Sequence, residues 1–122
     1  MIKVLIAEDI LPLLNKYKKY LSNQSEIQVV ATVQSGYEAV IECAITTPDV
    51  ILMDVEMETR TAGLDASRQI LDHFPDTRIV ILTVYEDDET IFQAFQIGCC
   101  DYLLKNATEK DIICCVKDAY NK

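Results

Sequence analysis

Five side chains that could act together each follow a short aliphatic run. Glu8 and Asp9 follow residues 2–7, Asp54 follows 50–53, Thr83 follows 78–82, and Lys105 follows 101–104. Three carboxylates brought close together repel, and each then resists ionisation. A hard divalent cation resolves that conflict. Mg²⁺ takes oxygen ligands, usually one or two protein carboxylates with several waters and a phosphate oxygen. An ammonium supplies a point charge for a phosphoryl oxygen, and a hydroxyl donates a hydrogen bond to another. A carboxylate can also be the nucleophile and form an acyl phosphate, which makes Asp54 the candidate acceptor. Phosphoryl transfer asks the protein mainly for in-line positioning and charge neutralisation. Singly, these residues read as a solvated acidic turn, an Asp ending a strand and a Thr capping one. Their shared placement carries the chemical reading.

That placement depends on the elements. Aliphatic runs at 2–7, 27–33, 50–53, 78–82 and 101–104 begin 23 to 28 residues apart. Unbroken apolar stretches at 4–7, 50–53 and 79–82 mark strands covered on both faces, as in parallel sheets. Each interval has room for a helix and two turns, the βαβ crossover. Helical spacing groups Ile10, Leu13, Leu14, Tyr17 and Leu21 on one face. The same spacing groups Tyr37, Val40, Ile41 and Ala44, then Ile91, Ala94 and Phe95, and finally Ile112, Cys115, Val116 and Ala119. Ser35 and Thr108 are expected N-caps, and Gly98 an expected C-cap. Pro48 and Pro75 punctuate the approaches to the third and fourth strands. The pattern predicts an α/β domain over 1–122, a doubly wound five-stranded parallel sheet with helices on both faces. Its functional crevice should lie beyond the carboxyl ends of the strands, where the five side chains stand.

Composition narrows the classes. A chain of 122 residues, half of them apolar and a quarter charged, is an ordinary globular domain. Its net charge of −9 opposes contact with duplex DNA or anionic lipid. No apolar run nears the ~20 residues of a membrane span, and Glu8-Asp9 cut short the apolar start. A cytoplasmic address is expected. Cys43, Cys99, Cys100, Cys114 and Cys115 are odd in number and lack C-x-x-C spacing, so they read as small buried hydrophobes. His73 is the single histidine, expected on the surface near the end of the third helix, and supports no triad. Lys16, Lys18 and Lys19 read as a solvated helix face.

These residues resemble the receiver domain of bacterial two-component response regulators over the full chain. The features that carry the likeness are Glu8-Asp9, Asp54 followed by Met57, Gly63-Leu64, Thr83, and Tyr102-Leu103-Leu104-Lys105. The resemblance implies strand order 2-1-3-4-5. It implies that Asp54 accepts a phosphoryl group from a phosphohistidine of a sensor histidine kinase. Mg²⁺ would be bound by Asp9, Asp54 and the backbone carbonyl of Glu56, with Glu8 acting through a metal-bound water. Lys105 and Thr83 would hold phosphoryl oxygens. Thr83 would then move toward the phosphate and Tyr102 swing inward behind it, altering the surface of helix four, strand five and helix five. The run from Lys105 to Thr108, with Tyr85-Glu86-Asp87-Asp88, is similar to the subgroup joined to a helix-turn-helix DNA-binding domain. Either the chain is a fragment of such a regulator, reaching nucleic acid through a C-terminal domain absent from this chain, or the receiver stands alone. A homodimer formed on phosphorylation, near Ile113 and Cys114 of the last helix, is a further expectation; a membrane partner is not expected.

Three departures stand out. Glu58 occupies a position where the family often has Pro, and the nine-residue step from Asp54 to Gly63 is about one residue longer than the family pattern. This polar, acidic segment is expected to tune phosphate lifetime or kinase choice. Asn106 follows Lys105 where Pro is common. The alternative reading is a Mg²⁺-dependent phosphohydrolase with an aspartyl-phosphate intermediate. It needs a substrate cap, for which a chain this short has little room. Otherwise the domain would catalyse only its own phosphorylation and dephosphorylation. A flavin module is disfavoured, because residues 8–12 lack a Ser/Thr/Gly phosphate cradle and the strand edge is acidic.

Overall fold

Five strands alternate with five helices in a computed structural model that describes residues 1–84 and 88–122. The strands are β1 (Ile2–Ala7), β2 (Ile27–Val33), β3 (Val50–Asp54), β4 (Arg78–Thr83) and β5 (Asp101–Leu104). The helices are α1 (Leu11–Ser22), α2 (Gly36–Thr46), α3 (Ala62–His73), α4 (Asp88–Ile97) and α5 (Glu109–Tyr120). All strand pairs are parallel, in the order β2-β1-β3-β4-β5. β3 and β4 each run one residue further than the aliphatic pattern suggests, which makes Asp54 and Thr83 the last residues of their strands.

Period-2 alternation divides the central strands between two cores. Val4, Ile6, Val50, Leu52, Val80 and Leu82 pack with Leu14, Tyr17 and Leu21 of α1 and Ile112 and Val116 of α5. Leu5, Ala7, Ile51, Met53, Ile79 and Ile81 pack with residues of α2, α3 and α4. Both sets are apolar because helices cover both faces, and this is why the runs are unbroken.

Three capping expectations hold. The Ser35 hydroxyl accepts from the Glu38 amide at 3.0 Å. Thr108 and Asp111 form a reciprocal capping box at α5. Gly98 follows α4 with φ +116, a left-handed conformation that suits glycine. The buried faces of α1 and α5 contain the expected residues, apart from Ile10, which is exposed.

The α2 face differs. Gly36, Ala39 and Cys43 are buried, whereas Tyr37, Ile41 and Ala44 are exposed. A Cβ on Gly36 would stand 2.7 Å from the Ala62 carbonyl oxygen, so α2 approaches α3 too closely for large side chains. On α4 only Ala94 is buried, and Phe95 lies outside the core. Cys114 is exposed, unlike Cys43, Cys99 and Cys115. His73 is exposed at the end of α3. Of the run Tyr85-Glu86-Asp87-Asp88, the first three residues lie outside the described ones. No described helix is long and apolar enough to cross a membrane.

Candidate functional site

Pairing in the sheet assembles the site. β1 lies between β2 and β3, with Ala7 opposite Met53, so Glu8 and Asp9 leave the sheet beside Asp54. β4 ends beside β3 and β5, with Asp54 opposite Leu82 and Thr83 opposite Leu104. Lys105 is therefore the first residue past the sheet, and its amide donates to the Thr83 carbonyl at 2.9 Å.

Ligand oxygens of Glu8, Asp9 and Asp54 lie within 4.8 Å of one another. Glu8 and Asp54 are buried, and Asp9 is exposed. The Lys105 ammonium sits 2.9 Å from Glu8 Oε1 and 2.9 Å from Asp54 Oδ2. It donates a directed hydrogen bond to Glu8 Oε2 at 3.1 Å. Glu8 Oε2 also accepts from the Ile10 amide at 3.2 Å, which holds the acidic turn against the start of α1.

One ammonium thus serves two buried carboxylates, with a third nearby. Glu8 Oε1 and Asp54 Oδ2 are close to the ammonium, yet neither receives a well-directed hydrogen bond. Burial, together with Glu8, raises the Asp54 carboxyl from its ordinary 3.8 to about 8, against the opposing pull of Lys105. Burial alone would lower the Lys105 ammonium, but Glu8 and Asp54 outweigh it and raise it. This donor set fits a hard divalent cation: the ligands are oxygens, negative charge is in excess, and buried carboxylate oxygens lack directed donors.

The site opens into a cleft of about 290 Å³ lined by Asp9, Asp54, Thr83 and Lys105 and by the loop between β3 and α3. Thr83 is buried at the floor. Tyr102 lies opposite Ile81 in the ladder, half-buried against the α2–α3–α4 core. Thr83 and Ile81 share strand parity, so Thr83 and Tyr102 belong to the same face of the sheet. Glu56 is exposed on the loop that lines the cleft. All the side chains singled out from the sequence therefore collect around one sheet edge, with Tyr102 behind it.

Three further features escaped the sequence reading. Arg60 lines the cleft, in the segment between Asp54 and Gly63 that is longer than the family pattern by about one residue. The Tyr17 hydroxyl, from α1, donates to the Lys105 carbonyl. The Glu58 carboxylate accepts from the Gly36 amide at 2.7 Å and the Tyr37 amide at 2.9 Å. Burial works against the Glu58 carboxylate, but those two amides, with the main-chain amide of Glu58 itself, outweigh it and hold the carboxyl below its usual range. Glu58 was noticed in the sequence only as a departure from the family, because no local pattern names a partner 22 residues away.

Similarity to known proteins agrees with this geometry. The family profile described as response regulator receiver domain matches residues 4–117. Oxygen regulatory protein NreC of Staphylococcus aureus is 36% identical over 118 residues, which cover 97% of this chain and 54% of NreC. The chain thus spans about half the length of the curated relatives it matches. Among solved structures, the signal receiver domain of NarL from Mycobacterium tuberculosis superposes with a TM-score of 0.93 at 23% identity, covering 98% of this chain and 96% of that one. A LuxR-family DNA-binding response regulator from Staphylococcus aureus does so at 0.91 and 19% identity, covering 99% of this chain and all of that one. With the profile spanning nearly the whole sequence and the strand order and acidic edge in place, the chain belongs to the response regulator receiver domains of two-component signal transduction.

Proposed function

We propose that Asp54 is the phosphoacceptor. A carboxylate oxygen of Asp54 attacks the phosphorus of a phosphohistidine on a sensor histidine kinase. The new O–P bond forms as the P–N bond breaks, and the released imidazole takes up a proton. Asp9, Asp54 and the Glu56 carbonyl would hold Mg²⁺, with Glu8 acting through a bound water. The ion supplies charge neutralisation for the phosphoryl oxygens when bound. Lys105 pairs with the transferred group, and the Thr83 hydroxyl donates to it. Lys105 must then exchange part of its contact with Glu8 and Asp54 for the phosphoryl oxygens. That exchange is the local electrostatic event to which Thr83 and Tyr102 respond.

One observation carries the reading. Lys105 bridges Glu8 and Asp54 at 2.9 Å each beside Asp9, at the carboxyl edge of a 2-1-3-4-5 sheet. Incubation with acetyl phosphate and Mg²⁺ should add one phosphoryl group, mapped by mass spectrometry to Asp54. Labelling of Asp54→Asn to the wild-type extent would overturn the assignment. Sustained turnover of an external phosphate ester would instead favour the phosphohydrolase reading.

The output follows from charge and length. A surface of net charge −9 is unsuited to DNA, and NreC is nearly twice as long as the matched region. We therefore assign DNA contact to a C-terminal domain outside this chain and control of transcription to that domain. The switching surface is α4–β5–α5, where Phe92 and Phe95 are exposed. Phosphorylation-dependent homodimerisation through this face, near Ile113 and Cys114, is part of the same proposal. Sedimentation with and without a phosphoryl mimic tests it, and an unchanged monomer removes it.

A further inference from the structure

The loop between β3 and α3 has two kinds of anchor. At its start, the Val55 amide donates to the Leu82 carbonyl at 3.2 Å and the Val55 carbonyl accepts from Gly63 at 2.8 Å. In its middle the internal ties are short: the Met57 amide to the Thr59 carbonyl at 3.0 Å, and the Ala62 amide to the same oxygen at 3.4 Å. Among the described residues, the long-range hold on this middle part is the Glu58 carboxylate. Its two oxygens take one amide each, from Gly36 and Tyr37, in the first turn of α2. Those amides belong to the unsatisfied donors of a helix N-terminus, where a carboxylate is favoured by both hydrogen bonding and the helix dipole. Ser35, the N-cap, serves a different donor, the Glu38 amide.

The close approach of the two elements is independent support. Gly36 is buried, and a Cβ there would meet the Ala62 carbonyl at 2.7 Å. Glycine at 36 therefore lets the end of this loop lie against α2. Glu56 stands between the two anchors, with an exposed side chain.

We infer that Glu58 is a positioning residue, which ties the loop to the first turn of α2 and so sets where the Glu56 carbonyl stands beside Asp54. The inference rests on the proposed Mg²⁺ site and adds the residue that pre-organises its main-chain ligand. It also connects α2, which bears none of the five site side chains, to the affinity of that site. An outer residue that orients a ligand commonly changes metal affinity by about tenfold or more.

The test uses Mg²⁺ alone, titrated into the protein by calorimetry. Glu58→Ala should weaken Mg²⁺ binding by about tenfold, and Glu58→Gln, which keeps one acceptor, should fall between it and wild type. Ser35→Ala removes an N-cap of the same helix without touching the loop, and should leave Mg²⁺ affinity unchanged. In the metal-free protein, amide exchange at Gly36, Tyr37 and Met57 should accelerate in Glu58→Ala, whereas in Ser35→Ala the change should centre on Glu38. Phosphorylation by acetyl phosphate should need more Mg²⁺ in Glu58→Ala but reach the wild-type rate at saturation. Wild-type Mg²⁺ affinity in Glu58→Ala, or an equal loss in Ser35→Ala, overturns the positioning role while leaving the proposed site intact. A wild-type protein that takes up no Mg²⁺ overturns both.

Discussion

The Tyr17 hydroxyl donates to the main-chain carbonyl of Lys105 at 3.1 Å, joining α1 to the residue that bridges Glu8 and Asp54. Tyr17 is fully buried in the α1–α5 core, so its ring fixes the position of its hydroxyl. Burial, with Glu8 and Asp54 nearby, raises the phenol well above its usual range and keeps it a donor. Tyr17→Phe keeps the packing and deletes the bond. It should cost about 1 kcal/mol of stability in urea unfolding. Phosphorylation by acetyl phosphate should slow several-fold because Lys105 is less well placed, while Mg²⁺ affinity changes little. An equal loss of Mg²⁺ affinity would show that Tyr17 supports the carboxylates rather than the lysine.

Gly63 is required by contact as well as by sequence resemblance. A Cβ there would lie 1.9 Å from the carbonyl oxygen of Asp54 and 2.9 Å from the Cα of Val55. Either α3 or the end of β3 must move to admit it. Gly63→Ala should destabilise the protein by about 3 kcal/mol or more, as overpacking against main chain does. Mg²⁺ uptake should be lost in whatever fraction stays folded, as read by urea unfolding and calorimetry. A variant with wild-type stability and Mg²⁺ binding would contradict the close packing of α3 on Asp54.

Asp54 should destabilise the metal-free fold at neutral pH. Its folded carboxyl is raised to about 8 from an ordinary 3.8, so between those values the folded chain holds more protons than the unfolded one. Its contribution is therefore fully present below pH ~4 and is lost as pH rises toward ~8. In EDTA, Asp54→Asn should be more stable than wild type by roughly 1–3 kcal/mol near pH 8. That advantage should shrink toward pH 4. Mg²⁺ should raise the melting temperature of wild type and do much less for the variant. A variant less stable than wild type at pH 8 in EDTA would show that Lys105 fully compensates the buried acids.

The cysteines should separate by accessibility. Burial raises the thiols of Cys43 and Cys99 to about 11 and that of Cys115 to about 12, with Asp101 adding to the last. These three should be inert to a thiol reagent at pH 8 in the folded protein, because the thiolate is the reacting form. Cys114 is exposed and should react first, with half-buried Cys100 following. All five should react in denaturant. Fast labelling of Cys43 or Cys99 in the native state would show that the α2–α3–α4 side opens readily.

Much of the architecture was legible before the structure. Strands buried on both faces read as unbroken apolar runs, and the strand ends named Glu8, Asp9, Asp54, Thr83 and Lys105 without further help. The buried faces of α1 and α5 followed helical spacing, with Leu14, Tyr17 and Leu21 marking the first and Ile112 and Val116 the second. The α2 face misled for a physical reason. Where α2 meets α3 the backbones approach so closely that Gly36, Ala39 and Cys43 fill the contact, and the larger Tyr37 and Ile41 are turned out. Periodicity weighs bulk and hydropathy, and small residues at a tight contact carry little of either.

The amino-acid order by itself determined which residues end the strands, and therefore which chemistry could gather at one edge. Local spacing and propensity act over a turn or two, and that is enough to place a residue at the end of its own strand. Only the tertiary structure decided that one ammonium serves both Glu8 and Asp54, that Tyr17 holds the main chain of Lys105, and that Glu58 reaches the first turn of α2. Each of these joins residues at least 21 positions apart in the sequence. Contacts at that range exist only once the sheet order and the packing of its helices have brought the partners together.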